Sequence, residues 1–374
     1  MTYGRARLWT GISGVGSVVV LAVSLLFTGA PAQLFDEAGG TFGTDFIALF
    51  AALGVMALVM LPFDVVGGLI LPRRYERPAP GGSRFFIVWL RGVLVLSALA
   101  ALSGATLLLA GRAGGLPLSL LAFAIMANIS LASQELLARL VGGLQRVKPQ
   151  GVDGLGSGAE LVFLRGTDPA FTGGFTGAGT MVLPERWGSI LEPETLALFL
   201  ERRQKIVSSG AWRKTAAAAL AWNLTGFSLA TLLPGAGVSG VGELAATSLA
   251  FSLWTFLGLL LLPTLSRRGV HNADTLVSRD EESRQRLLEG LSKLDQLQDD
   301  EPSRAPGLEV IFHPVPSLST RLSAEAGRQG ARLGFWHLAR TALFLSHVGL
   351  SLLPRAVHCN AGRPELWVYL PGDG

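Results

Sequence analysis

Residues 46–71 read FIALFAALGVMALVMLPFDVVGGLIL. These 26 consecutive residues carry a single charged side chain, Asp64. A helix needs roughly 20 such residues to cross about 30 Å of hydrocarbon, so this run is long enough to span a bilayer. Apolar runs of the same kind lie at about 9–31, 86–111, 117–140, 214–235 and 243–264. The 374-residue chain is 49% hydrophobic and only 16% charged, against about a quarter charged in a soluble domain. Such a composition needs either a very large dry core or a bilayer, and the length of the runs decides for the bilayer. The expectation is a polytopic membrane protein of about six transmembrane helices.

The polar residues between the runs set the orientation. Arg5 and Arg7 precede the first run, while the segment from Gln33 to Asp45 carries Asp36, Glu37 and Asp45 and no basic residue. Arg73, Arg74, Arg77 and Arg84 follow the second run; Arg139, Arg146 and Lys148 follow the fourth; Arg267 and Arg268 follow the sixth. By the positive-inside rule these basic loops lie on the cytoplasmic side. The first run ends at Gly29-Ala30-Pro31-Ala32, which has the small residues of a signal-peptide cleavage site. Its length favours an uncleaved helix. The lone Cys359 excludes an intramolecular disulfide. The net charge of +4 is dispersed next to apolar runs, with no basic tract interleaved with aromatics, so nucleic acid is not an expected partner.

Four regions follow: residues 1–140, a four-helix membrane region; 141–213 with 266–332, one cytoplasmic domain; 214–265, a membrane hairpin; and 333–374, a tail. Gly151 to Gly158 is a glycine-rich linker. Glu160 to Arg165 reads as a strand, Gly173, Gly174 and Gly177 punctuate a turn, and Thr180 to Leu183 reads as its partner. Pro193 sits where a helix begins, with Leu196, Phe199, Leu200, Arg203 and Val207 following at helical spacing. Leu287, Leu291, Leu294 and Leu297 make one stripe of a second helix. Leu308 to Phe312 reads as a short strand and Glu365 to Leu370 as a last one. The apolar stretch Leu333 to Leu353 holds His337, Arg340 and His347. Those groups make a lipid-facing span unfavourable, so a buried or interfacial helix is expected there.

Four stretches of the cytoplasmic pieces resemble the HtpX-like membrane zinc metallopeptidases, the group that includes the CAAX prenyl proteases. Ala170-Phe171-Thr172-Gly173-Gly174 with Gly179 to Leu183 is similar to the family's strand, glycine turn and strand. Leu191 to Leu200 is similar to the approach to its catalytic helix. Asn272-Ala273-Asp274, followed by the Leu287–Leu297 helix, is similar to its Glu-Ala-Asp helix. His313-Pro314 to Leu322 is similar to its late His-Pro segment. The resemblance covers about residues 160–325 and implies a cytoplasmic α+β domain of metallopeptidase type.

The departure from the family is chemical. Its zinc site needs His-Glu-x-x-His, because positions i and i+4 on one helix face bring both imidazoles to one ion, and the glutamate activates the bound water. Here Arg202 and Arg203 stand at the His-Glu pair, Ile206 at the second His and Asn272 at the third ligand, while Gly210 falls on the glycine that follows the motif. There is no histidine before His271. Arginine has no lone pair to offer and stays cationic, and isoleucine cannot ligate. About three protein ligands are needed for open-site zinc catalysis, so no metal and no cofactor is expected.

Other assignments weigh less. A rebuilt zinc site would draw on His271, His313 and a carboxylate. His337 and His347 are ten residues apart, roughly 15 Å along a helix and about 80° around it, so they cannot share an ion. Gly154-Leu155-Gly156-Ser157-Gly158 is a linker rather than a serine-nucleophile turn. Arg203, on an apolar stripe, calls for a carboxylate, and Asp274 is the expected partner; an anion or lipid-headgroup site is the functional alternative. Asp64 and Arg91 lie at similar depth and are expected to pair; a proton or ion pathway would need more acidic positions than Asp64 and Glu135 supply. The sequence thus points to a pseudoprotease in a bacterial inner membrane, acting as a scaffold, regulator or subunit of a membrane complex. An active zinc endopeptidase with rearranged ligands is the alternative. Its partners would be the lipid bilayer and another membrane protein or polypeptide, received by strand addition at Gly173, Gly174, Thr180, Met181 and Val182.

Overall fold

The computed structural model describes residues 1–35, 40–148, 160–177, 179–323 and 334–368. The Gly151–Gly158 linker, Asp36 and Glu37 lie outside the described residues. Four helical stretches are long and apolar enough to cross a membrane: α1 (Tyr3–Phe27), Phe42–Arg74, α3 (Gly82–Ala132) and α6 (Val241–Val277). The second consists of α2 (Phe42–Val65), a π-turn at Val66–Ile70 and a last turn at Leu71–Arg74. Their outward faces are apolar and open, with Val20, Ile47, Leu58, Ile87 and Ile129 all more than half exposed. Water would not tolerate such a contiguous surface; lipid would.

Helix α3 is not one straight rod. Gly114 and Gly115 leave the helical region, Gly115 with φ +64°, and Pro117 follows. Ser119 Oγ donates to the carbonyl of Leu107 at 2.9 Å, although twelve residues of straight helix would separate them by about 18 Å. The chain therefore turns back on itself at Gly114-Gly115, and the two arms pack side by side. The second arm breaks at Ser133, and short helical turns at Gln134–Leu137 and Ala138–Gly142 carry it to the expected end near residue 140. α5 (Ala211–Ala230) and α6 form the other hairpin, and α6 continues to Val277, beyond the expected end at 264.

A small sheet has the order β1-β2-β4-β3, with β1 (Gln145–Val147), β2 (Leu161–Arg165), β3 (Gly174–Phe175) and β4 (Met181–Pro184). β2 and β4 are partners as expected, but they run parallel, in the register Val162 opposite Val182. β3 pairs antiparallel with β4. α4 (Pro193–Ser208) reaches the sheet through Arg203, which donates to Val182 O, and α7 (Glu281–Leu297) lies against α4. Gly290 makes that contact close, since a Cβ there would stand 2.6 Å from both Phe199 and Thr195. Leu308 to Phe312 belongs to a helix, α8 (Pro306–Phe312), not a strand. Pro306 at its first turn and the carboxylate of Glu309, which accepts from Ser317 N and Oγ, favour the helical path. α9 (Leu318–Ser323) follows.

The tail is the centre of the bundle. α10 (Leu338–Leu345) and a 3-10 turn (Ser346–Gly349) lead into irregular chain that runs, mostly buried, to Val368. Helices come close to it through glycine. A Cβ at Gly11 would stand 2.4 Å from His358 N, at Gly67 2.6 Å from Ala361 O, at Gly68 2.1 Å from Gly362 O and at Gly269 2.1 Å from Phe335 O. Both π-turns, Val66–Ile70 and Ala138–Gly142, carry such glycines, Gly142 lying against Glu365. Within the expected last strand, Pro364–Leu366 is a 3-10 turn; residues 369 and 370 lie outside the described residues. A strand there would lack a neighbour, whereas the turn lets Glu365 accept from Thr167 N, Thr167 Oγ1 and Asp168 N at 2.6–3.0 Å.

Candidate functional site

The four positions singled out for a metal site, Arg202, Arg203, Ile206 and Asn272, come from α4 and α6. α4 begins at Pro193 with Glu194 in its first turn, a proline-started helix with a stabilising carboxylate. Its buried face carries Leu196, Phe199, Leu200, Arg203 and Ile206 and meets the sheet and α6. Arg202, Arg203 and Ile206 are each 0% exposed. The place where a cleft would have to open is solid.

Burying a guanidinium requires that its donors be used. Arg203 donates to Val182 O at 2.6 Å and to Thr172 O at 2.7 Å, and its guanidinium stacks 4.9 Å from the Trp187 ring centre. Arg202 lies 2.6 Å from Asp274 and 4.8 Å from the Trp336 ring centre. Asp274 is thus the partner of Arg202, not of Arg203. The reason is local geometry. Arg203 points up into the sheet, where the Gly173 turn leaves two carbonyls facing inward, while Arg202, 100° round the helix, points at α6. Arg321 of α9 stands 3.5 Å from Asp274 and closes the cluster from the side of the late His-Pro segment. Asn272 is half-buried on α6, two residues before Asp274.

The histidines are dispersed. His313 sits edge-on to His358, ring centres 5.2 Å apart. Burial, reinforced by the charges of Arg304 and His358, pushes its pKa well below the ordinary value. His271 faces Asp274, Arg321, Glu309 and Arg267. Among the described residues no three His, Cys, Asp or Glu side chains gather as a metal site would require.

The strand edge expected to receive a polypeptide is covered. Gly173, Gly174, Met181 and Val182 are buried, and β3, the outer strand on that side, is two residues long. Trp212 Nε1 donates to Thr176 O at 3.0 Å, and Gly177 N donates to Leu131 O at 2.8 Å. The chain's own helices therefore occupy the hydrogen-bonding positions a guest strand would use. Thr180, half-buried, binds Glu160 through its hydroxyl at 3.2 Å. The opposite outer strand is β1, whose Gln145 and Arg146 are exposed among the described residues.

Asp64 is fully buried, and its partner is Arg355 of the tail at 2.7 Å rather than Arg91. Trp89 Nε1 at 2.8 Å and Gly362 N at 2.7 Å also donate to its carboxylate. Arg91 instead reaches the carbonyl of Val141 at 3.4 Å. A second tail clamp joins Arg363 to Asp168; burial alone would raise the Asp168 carboxyl, but the guanidinium outweighs it and holds it below the usual range. Neither clamp was foreseeable from the sequence, since both connect positions about 200 or more residues apart. No family model matches the chain, and no curated protein matches it.

Proposed function

We propose that this chain is a catalytically silent relative of the HtpX-like membrane metallopeptidases, serving as a scaffold, regulator or subunit in a membrane protein complex. The observation that carries the reading is the core of α4. Two guanidiniums, each stacked on a tryptophan, and an isoleucine fill the positions where ligands and a general base would stand. A divalent cation placed there would meet two fixed positive charges, and neither the guanidiniums nor the isoleucine has a lone pair to offer it.

In this reading the bundle has six spans. The turn at Gly114-Gly115 divides α3 into two crossings, and the α5–α6 hairpin supplies two more; the Ala-rich α5 keeps one open stripe, Ala217, Ala221, Thr225 and Leu229. The arginine-rich ends and the sheet face the cytoplasm of a bacterial inner-membrane protein. A guest polypeptide would pair with the exposed strand β1 rather than with the covered β3 edge. Incubation of detergent-purified protein with casein, with and without added zinc, tests the silent site. No cleavage is expected in either case. Zinc-dependent cleavage abolished by His271→Ala or His313→Ala would overturn the proposal in favour of an endopeptidase with rearranged ligands.

A further inference from the structure

Between α1 and α6 a cleft of about 280 Å³ runs along the outside of the bundle. Its walls are apolar: Ile12 and Val15 on one side, Phe256, Leu259 and Leu260 on the other. From Leu8 to Gly16 it extends about 12 Å along α1. One end is different. Arg340 lines it there, next to His358.

Three contacts fix the level of that end. Ala339 N donates to Ser266 Oγ at 3.0 Å, next to Arg267 and Arg268 on α6. Arg7 of α1 hydrogen-bonds the carbonyls of Gly67 and His358 at 2.8 and 2.5 Å. Phe312 and Pro314 of the polar domain form the rim. The cleft therefore begins where the helices carry their arginines and runs inward along wholly apolar surface.

Arg340 stands apart from the inward-facing arginines of α1, α4 and the rest of the tail. Arg7, Arg202, Arg203, Arg355 and Arg363 all have a carboxylate or carbonyl partner. Arg340 has no hydrogen bond or ion pair among the described residues, and its Nε is buried and unsatisfied. His313 and His358 are among its charged and titratable neighbours, and the Asp299 carboxylate that faces those histidines also faces Arg304 and Arg7 and forms no ion pair with Arg340. A guanidinium half-withdrawn from water at the mouth of an apolar slot is a receptor for an anion with a hydrocarbon tail. We infer that the cleft holds one anionic phospholipid of the adjoining leaflet, with its phosphate on Arg340 and an acyl chain along Val15, Gly16 and Leu259.

This rests on the chain being embedded in a membrane, which retention in carbonate-washed membranes checks separately from lipid binding. The lipid test is native mass spectrometry of the full chain in detergent, titrated with phosphatidylglycerol or phosphatidylcholine. One tightly held phosphatidylglycerol per chain is expected, preferred over phosphatidylcholine. Arg340→Gln should weaken that preference roughly fivefold, the effect of one cation beside an anionic headgroup, and Arg340→Lys should restore it. A Cβ at Gly16 meets open space, so Gly16→Phe fills the slot without disturbing the backbone and should displace both lipids. Equal binding of the two lipids by the unaltered protein, or unchanged binding in Arg340→Gln and Gly16→Phe, would overturn the inference. So would competition by inorganic phosphate alone at equal concentration, which would mark an anion site without a tail.

Discussion

Single arginines decide much of this molecule. Arg203 donates to two inward carbonyls, those of Val182 and Thr172, so Arg203→Met should lower stability by about 2–5 kcal/mol, seen as a fall in melting temperature in detergent. Asp64 and Arg91 offer a sharper contrast. Asp64→Asn strands Arg355 inside the bundle and should cost about 3–5 kcal/mol, whereas Arg91→Gln removes one long bond to a carbonyl at 3.4 Å and should cost about 1 kcal/mol or less. Equal losses would mean that Asp64 pairs with Arg91 after all. At this scale the sequence was legible in kind but not in detail. A buried Arg on an apolar stripe announces a partner, and Asp274 was correctly placed in the cluster. Which of two adjacent arginines takes it depends on a 100° rotation about α4 that residue spacing alone does not resolve.

Among elements, the helices were the most legible, because apolar runs and proline starts are local signals. The break in α3 could be read from Gly114, Gly115 and Pro117. The short elements misled. Leu308 to Phe312 has a β-like composition, yet Pro306 and Glu309 begin a helix there, and the parallel pairing of β2 with β4 reflects a crossover that no local pattern encodes. The glycines of the π-turns carry a prediction. Gly68→Ala would drive a Cβ to 2.1 Å from Gly362 O, so it should loosen the tail and expose it to limited proteolysis; unchanged protection would show that the tail is held elsewhere. α7 carries another. Burial raises the Asp295 carboxyl to about 6, helped by Asp299 and Asp300 and opposed by Arg304. A group with a raised pKa stabilises the fold below its unfolded value near 4 and loses that contribution as pH rises through about 6. Asp295→Asn should therefore be the more stable protein at pH 7.5, by about 1–2 kcal/mol after solvent screening, and the gap should close by pH 4. A gap independent of pH would point to packing instead.

For the whole molecule, the sequence conveyed a mostly helical chain with long apolar helices and a small sheet, and it placed the polar cluster of α4 and α6. It did not convey the role of the tail. Its apolar stretch, Leu333 to Leu353, carries a buried helix, α10, where a buried or interfacial one was expected, but the chain from Leu350 to Val368 has few regular elements, so nothing local marks that part as core. Its position follows from glycine contacts on separate helices and from ion pairs spanning most of the chain, Asp64 with Arg355 and Asp168 with Arg363. The same packing leaves the α4 core closed, and this closure is the basis for reading the protein as silent. Elemental analysis of zinc in detergent-purified protein tests that claim most directly. Well under one zinc per chain, unchanged after incubation with the metal and dialysis, is the predicted result. About one zinc per chain, lost in His271→Ala or His313→Ala, would contradict it and place a working metal site where the account sees only structure.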